Sequence, residues 1–135
     1  MKKILHLLLT SGVALANGVA SGKLVLPKSL TAKSAGIRTV FITVFDPKAT
    51  RPMPCAAQKF ELTKNAEGEF LRFSLDTASL TMMGCPEIPT VMNLKARLDQ
   101  DGSAGPDAPG DIVGKLADVK TGAKNLKIEM SQAIE

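Results

Sequence analysis

The sequence predicts an all-β fold, an antiparallel β-sandwich, for residues 21–135. Three observations predict it: short segments with alternating apolar and polar residues, turn residues between these segments, and no long apolar period of 3.6 residues after the N-terminal segment. The chain has 135 residues, the length of one domain plus a processed segment. A two-layer sandwich is typical of a chain with six or seven such strands, and a small closed barrel is the alternative.

The first 20 residues have the order of a secretory signal peptide. A positively charged n-region (residues 1–3) precedes an apolar h-region that starts at Ile4, and small residues follow. Ala16 and Ala20 are both suitable cleavage positions, and we predict cleavage after Ala20, which leaves residues 21–135 as the domain. The alternative is a retained N-terminal anchor. We therefore expect a periplasmic protein with no membrane span in the mature chain, because charges recur throughout it.

Residues 36–46 predict a central strand, because both faces of the segment are apolar. The residues on the two faces are Val40, Ile42 and Val44 on one and Phe41 and Phe45 on the other. A weaker strand is predicted before it, at residues 23–26.

The next two segments, residues 56–63 and 69–76, predict a β-hairpin. Asn65 to Gly68 form the turn between them, and Gly68 is free to take positive φ. Further strands are predicted at 90–99 and 125–131, where apolar and polar residues alternate, and more weakly at 112–119. The segment 101–111 is rich in Gly and Pro and predicts a long loop.

These alternations also predict which side chains form the core. The predicted core residues are Val40, Ile42, Val44, Leu71, Phe73, Leu75, Leu94, Leu98, Leu126 and Ile128.

Composition excludes several functions. Aromatic residues make up 4% of the chain, with no Trp or Tyr, which argues against a stacking surface for single-stranded nucleic acid. The formal net charge is +4 and falls to about +2 without the predicted signal peptide, so no dense basic face for nucleic acid is expected. The single His6 lies in that signal peptide, which removes histidine catalysis from the mature chain. We therefore predict a protein-binding module without enzymatic activity and without a cofactor.

Sulfur is the most distinctive local chemistry. Met53 stands beside Cys55, and Met82 and Met83 stand beside Cys85. Export favours a disulfide between the two cysteines, which is the interpretation we prefer. Two free cysteines are one alternative, and a Cu(I) site made of these five residues is the other, since soft sulfur ligands select that ion. If Phe60 and Leu62 face inwards, alternation places Cys55 on the outer face.

The loop after the strand at 90–99 contains or borders four aspartates: Asp99, Asp101, Asp107 and Asp111. Oxygen ligands of this kind can bind Ca²⁺, but the spacing does not match an EF-hand. Asp and Gly are also what tight turns require, and we prefer that interpretation.

Three blocks of sequence resemble a known periplasmic domain, the C-terminal Ig-like domain of the cytochrome c biogenesis factor CycH/CcmI. The blocks are residues 22–27 with 40–46 and Arg51-Pro-Met-Pro54, residues 73–76 with Leu80-Thr-Met-Met83, and Ala96-Arg-Leu-Asp-Gln-Asp-Gly-Ser-Ala104 with Pro109-Gly-Asp-Ile-Val-Gly114. The resemblance covers most of residues 21–135.

The resemblance implies an Ig-like β-sandwich on the periplasmic side of the haem-attachment machinery, with cytochrome c maturation components as partners. In that family the full protein also carries a membrane anchor and tetratricopeptide repeats that hold apocytochrome c. This sequence contains neither, so the resemblance implies a free-standing exported domain. The family offers no catalytic residue that would carry over to this chain.

Overall fold

The computed structural model describes residues 18–51 and 53–135, and these residues form an all-β fold, as predicted. A single short 3₁₀ helix, Lys28–Ser34, occurs among them. The strands are β1 (Gly18–Leu26), β2 (Thr39–Phe45), β3 (Pro54–Glu61), β4 (Gly68–Asp76), β5 (Thr81–Met82), β6 (Val91–Asp99), β7 (Ile112–Lys120), β8 (Ala123–Glu129) and β9 (Gln132–Ala133).

The strands form two sheets. The smaller has the order β4-β1-β8, and the larger has the order β5-β3-β2-β6-β7-β9. All pairs are antiparallel except β1 with β8, which is parallel and departs from the predicted antiparallel arrangement. β7 lies in the larger sheet and is not hydrogen-bonded to β8 in a hairpin. At Thr121 and Gly122 the chain crosses to the smaller sheet, where β8 runs in the same direction as β1.

The predicted hairpin between β3 and β4 is wrong. β3 pairs with β2 and β5 in the larger sheet, whereas β4 pairs with β1 in the smaller. The segment between them crosses from the larger sheet to the smaller one. Ala66 of this segment is buried, and the Ser34 hydroxyl donates a hydrogen bond to the Ala66 carbonyl oxygen at 3.3 Å. Gly68 does have positive φ, 57°, at the start of β4.

One hydrophobic core lies between the two sheets. All the predicted core residues are buried in it except Leu71 and Leu126, which are partly buried and pack against it. These two lie on β4 and β8, the outer strands of the smaller sheet, whereas Phe73, Leu75 and Ile128 on the same strands are buried. Alternation therefore identified the inward faces.

Cys55 and Cys85 form the predicted disulfide, with Cα atoms 4.7 Å apart. The expectation that Cys55 lies on the outer face is wrong. β2 pairs Phe45 with Pro54 and Val44 with Ala56, so Cys55 is the extra residue of a β-bulge and is fully buried. A bond that spans 30 residues is expected to contribute about 3–4 kcal/mol by restricting the unfolded chain.

The N-terminal strand starts earlier than the predicted domain boundary at Ser21. β1 begins at Gly18 and includes Val19 and Ala20, which are both buried. The predicted n-region and h-region, with the possible cleavage position at Ala16, lie outside the described residues. Among the residues that are described, no helix is both long and apolar enough to cross a membrane.

Candidate functional site

The outer face of the larger sheet contains a groove with a volume of about 880 Å³. Its floor comes from the outward residues of the two central strands, β2 and β6, whose alternate residues fill the core. The residues of these strands that line it are Phe41, Thr43, Phe45, Asn93, Leu94, Lys95 and Arg97. The segment after β2 and residues 104–107 of the long loop also line it, together with residues of β3 and β7 such as Ala57 and Lys115.

Aromatic and cationic side chains are paired across this floor. The register of β2 and β6 places Phe41 opposite Arg97 and Thr43 opposite Lys95. The Arg97 guanidinium carbon lies 5.3 Å from the centroid of the Phe41 ring, within the range of a cation–π contact. The arginine therefore covers part of one ring, while the rest of the floor faces the groove.

Arg97 is the centre of an ion-pair cluster that ties the long loop to the sheet. Its side chain is 11% exposed. The guanidinium nitrogens lie 2.9 Å from an Asp99 oxygen, 3.4 Å from Asp107 and 3.8 Å from Asp111. Nη1 also donates a hydrogen bond to the Gly105 carbonyl oxygen at 2.5 Å. One buried cation thus positions the loop that forms one wall of the groove.

The aspartates of the loop act as turn formers, in agreement with the turn interpretation. Asp99 accepts the backbone N–H groups two and three residues further on, at 3.1 and 3.2 Å. Asp111 accepts those of Gln100 and Ala108 at 2.9 Å each. Across residues 18–51 and 53–135, no three His, Cys, Asp or Glu side chains are placed to hold a metal ion. The carboxylate oxygens are instead engaged by N–H donors and by the guanidinium.

Two of these carboxyl groups have shifted pKa values in opposite directions. Burial raises the pKa of Asp99, and a side-chain hydrogen bond with Asp101 raises it further, against the lowering effect of the Arg97 charge. Burial also acts to raise the pKa of Asp107, but a hydrogen bond and the charge of Lys95, 2.7 Å away, together with Arg97, outweigh it and lower the pKa. The ion pair between Asp107 and Lys95 is therefore expected to help stabilise the loop at neutral pH, beside the Arg97 cluster.

Replacing Asp107 with asparagine tests this ion pair. Because the folded pKa of Asp107 lies below its unfolded value, the carboxylate stabilises the fold above the unfolded pKa and loses that effect as the pH falls through the folded pKa. We expect D107N to lower the free energy of unfolding by about 1 kcal/mol at neutral pH, since the pair is only partly shielded from solvent. Urea titrations should show the deficit shrinking as the pH falls below the ordinary aspartate pKa and through the lower pKa of the folded protein.

The matched control is Glu135→Gln, which removes a carboxylate whose ion pair with Lys33 is exposed to solvent. This variant should match the original protein at neutral and at acidic pH. A deficit in D107N that stays constant from neutral to acidic pH would show that the aspartate acts through packing and not through its charge.

Of the alternatives for the sulfur residues, the structure contains the disulfide and no free cysteine among the described residues. Cys55 and Cys85 are joined to each other, so in this state neither supplies a thiolate. Met53, Met82 and Met83 are 54%, 41% and 57% exposed. Met83 lines the groove, and its N–H group donates a hydrogen bond to the Cys55 carbonyl oxygen at 2.8 Å. The disulfide thus fixes a methionine at the rim of the groove.

Sequence reasoning did not identify the groove as a site. It assigned Phe41 and Phe45 to the second face of a central strand and Lys95 and Arg97 to the solvent side of another strand. The missing information was that β2 and β6 are neighbours. With that pairing known, two outward aromatic residues of β2 beside two outward cations of β6 are the signal that would have found the site.

The comparisons with known proteins add no relative. No family model, no curated protein and no solved structure matches the chain.

Proposed function

We propose that this chain is a periplasmic binding module with an Ig-like β-sandwich fold and without enzymatic activity. It holds an extended segment of a partner protein in the groove of the larger sheet and thereby assists c-type cytochrome maturation or a related envelope assembly. The observation that carries the binding proposal is the groove itself, a concave surface with an aromatic floor. The resemblance to the CycH/CcmI domain supports the biological context.

The floor of the groove favours an extended segment with apolar side chains. Ligand sites of this size, about 880 Å³, are typically lined by apolar and aromatic residues with a few oriented polar groups. Phe41 and Phe45 lie four residues apart along β2, on the same face, with Thr43 between them. An extended segment has the same rise per residue, so it can place two apolar side chains, four residues apart, against the two rings.

The cations of the groove favour an acidic side chain in that segment. The register of β6 and β7 places Lys95 directly opposite Lys115, and both line the groove. Like charges in directly opposed positions destabilise a sheet. Asp107 neutralises Lys95 at 2.7 Å, and a carboxylate of the partner would relieve the repulsion further by pairing with Lys115. The partner segment is therefore apolar with an acidic residue at one end.

Export is supported by the disulfide and by the N-terminal sequence. Disulfides form and persist in oxidising compartments, of which the periplasm is one. The positively charged n-region and the apolar h-region precede the first strand, in the order of a signal peptide.

Selection of extended peptides from a display library, with the purified protein as bait, tests the groove. We expect apolar sequences with an acidic residue, and we expect Phe45→Ala and Lys115→Glu each to weaken the binding of a selected peptide by about tenfold or more. Isothermal titration calorimetry gives the dissociation constants. Lys127→Glu reverses an exposed charge on β8 in the smaller sheet and serves as the control that should leave binding unchanged. Equal affinity in all three variants would rule out the groove as the binding site.

The biological context needs a separate measurement. Deletion of the gene in its host should reduce the amount of haem covalently attached to c-type cytochromes, measured by haem staining of denatured periplasmic and membrane proteins. Unchanged haem attachment together with groove-dependent peptide binding would retain the binding module and remove it from cytochrome c maturation.

A further inference from the structure

The first residues of β1 are an integral part of the smaller sheet. Val19 is 2% exposed and Ala20 is 4% exposed. The Val19 carbonyl oxygen accepts a hydrogen bond from the Gly122 N–H group at 2.7 Å. Ala20 pairs with a residue on each side, Leu75 of β4 and Ala123 of β8. The fold therefore uses residues that a cleavage after Ala20 would remove.

We propose that the exported chain is cleaved after Ala16 and that the mature protein begins at Asn17. This inference rests on the export that the proposed function includes. In the reaction, water hydrolyses the peptide bond between the two residues, which leaves a carboxylate on Ala16 and an α-ammonium group on Asn17. The residue types at the two candidate positions do not separate them, since Ala14-Leu15-Ala16 and Gly18-Val19-Ala20 both have small residues at the first and third places.

A cut after Ala20 would yield a mature chain that lacks part of the smaller sheet, and this loss is the basis of the inference. The new α-ammonium group would lie on Ser21, which pairs with Ser74 in the interior of the strand, and a charge there would be partly removed from water. The buried Val19 side chain would be lost, and the Gly122 N–H group would lose its acceptor. A cut after Ala16 leaves all of β1 in the mature chain.

Intact-mass measurement and N-terminal sequencing of the periplasmic protein, expressed from the full chain, test the proposal. We expect one species that begins at Asn17. A species that begins at Ser21, lighter by the four residues from Asn17 to Ala20, would overturn the cleavage position and leave export intact. A species that retains Met1 would overturn export and the cleavage position together.

Two matched variants show which recognition sequence is used. Ala16→Leu places a large side chain at the last residue before the proposed cut and should abolish the product that begins at Asn17. Gly18→Leu places a large side chain at the first of the two small residues, Gly18 and Ala20, that precede the alternative cut after Ala20. Gly18 is exposed in the fold. This second variant should still yield the product cut after Ala16. Loss of cleavage in Gly18→Leu, with normal cleavage in Ala16→Leu, would overturn the proposal even if either variant folds poorly, because the cut precedes folding.

Discussion

Arg97→Met is expected to destabilise the protein by about 3 kcal/mol or more, because it leaves the carboxylates beneath the long loop without their shared cation. Asp99 and Asp111 are 3% and 2% exposed, so water cannot replace the guanidinium. Methionine keeps much of the side-chain volume over Phe41, which separates the loss of charge from the loss of packing. Chemical denaturation monitored by circular dichroism measures the change in the free energy of unfolding.

Arg72→Met is the matched control for this variant. Arg72 also pairs with a carboxylate, Glu69 at 3.0 Å, but its side chain is 81% exposed. Exposed pairs contribute little, so we expect a loss below about 1 kcal/mol. The deficit of Arg97→Met should also narrow at acidic pH, where Asp99 can become neutral. If the two arginine variants were equally stable, the buried cluster would not be what holds the loop.

Phe73→Ala is expected to cost about 3–5 kcal/mol, the range for removal of a buried aromatic side chain from a core. Phe73 is 3% exposed on β4, and its backbone pairs with Gly22 of β1. Gly22 has no side chain, and an added Cβ there would collide with the backbone of Leu126. Gly22 thus lets β1 and β8 approach closely in the sheet to which the Phe73 strand belongs.

Phe45→Ala removes the same ring from the outer face of β2, where the side chain is only partly buried. We expect it to lose much less stability than Phe73→Ala while it weakens peptide binding. Thermal unfolding of the two variants under identical conditions makes the comparison. A loss below about 1 kcal/mol in Phe73→Ala would mean that the core does not depend on this residue.

The sequence predicts the strands better than it predicts their partners. The segment 90–99 corresponds almost residue for residue to β6, because its alternation is a local property. The segment 56–63, marked by Phe60 and Leu62, is followed by a turn, yet β3 does not pair with β4. Which sheet a strand joins depends on residues distant in the sequence. The length and composition of the turn at residues 65–68 do not indicate whether the strands on either side of it pair with each other.

Cys55 shows a second limit. The alternation from Phe60 places it outside, and one extra residue in the bulge reverses that result. A one-residue β-bulge depends on the pairing with the partner strand, so the sequence of β3 alone does not predict it. The disulfide was nevertheless predictable, since two cysteines have one intramolecular pairing and the predicted export favours its oxidation.

The parallel pairing of β1 with β8 has a consequence for how the protein folds. Ala20, near the N-terminal end of the described chain, is the register partner of Ala123, near the other end. The central strand of the smaller sheet, β1, therefore lacks its neighbour β8 until almost the whole polypeptide has been synthesised and is free to fold. Closing so large a loop costs entropy before any contact compensates for it, and domains dominated by such distant pairings fold in milliseconds to seconds. Until then one edge of β1 remains open to pairing with other chains, so the protein is most prone to aggregation while it is still incomplete.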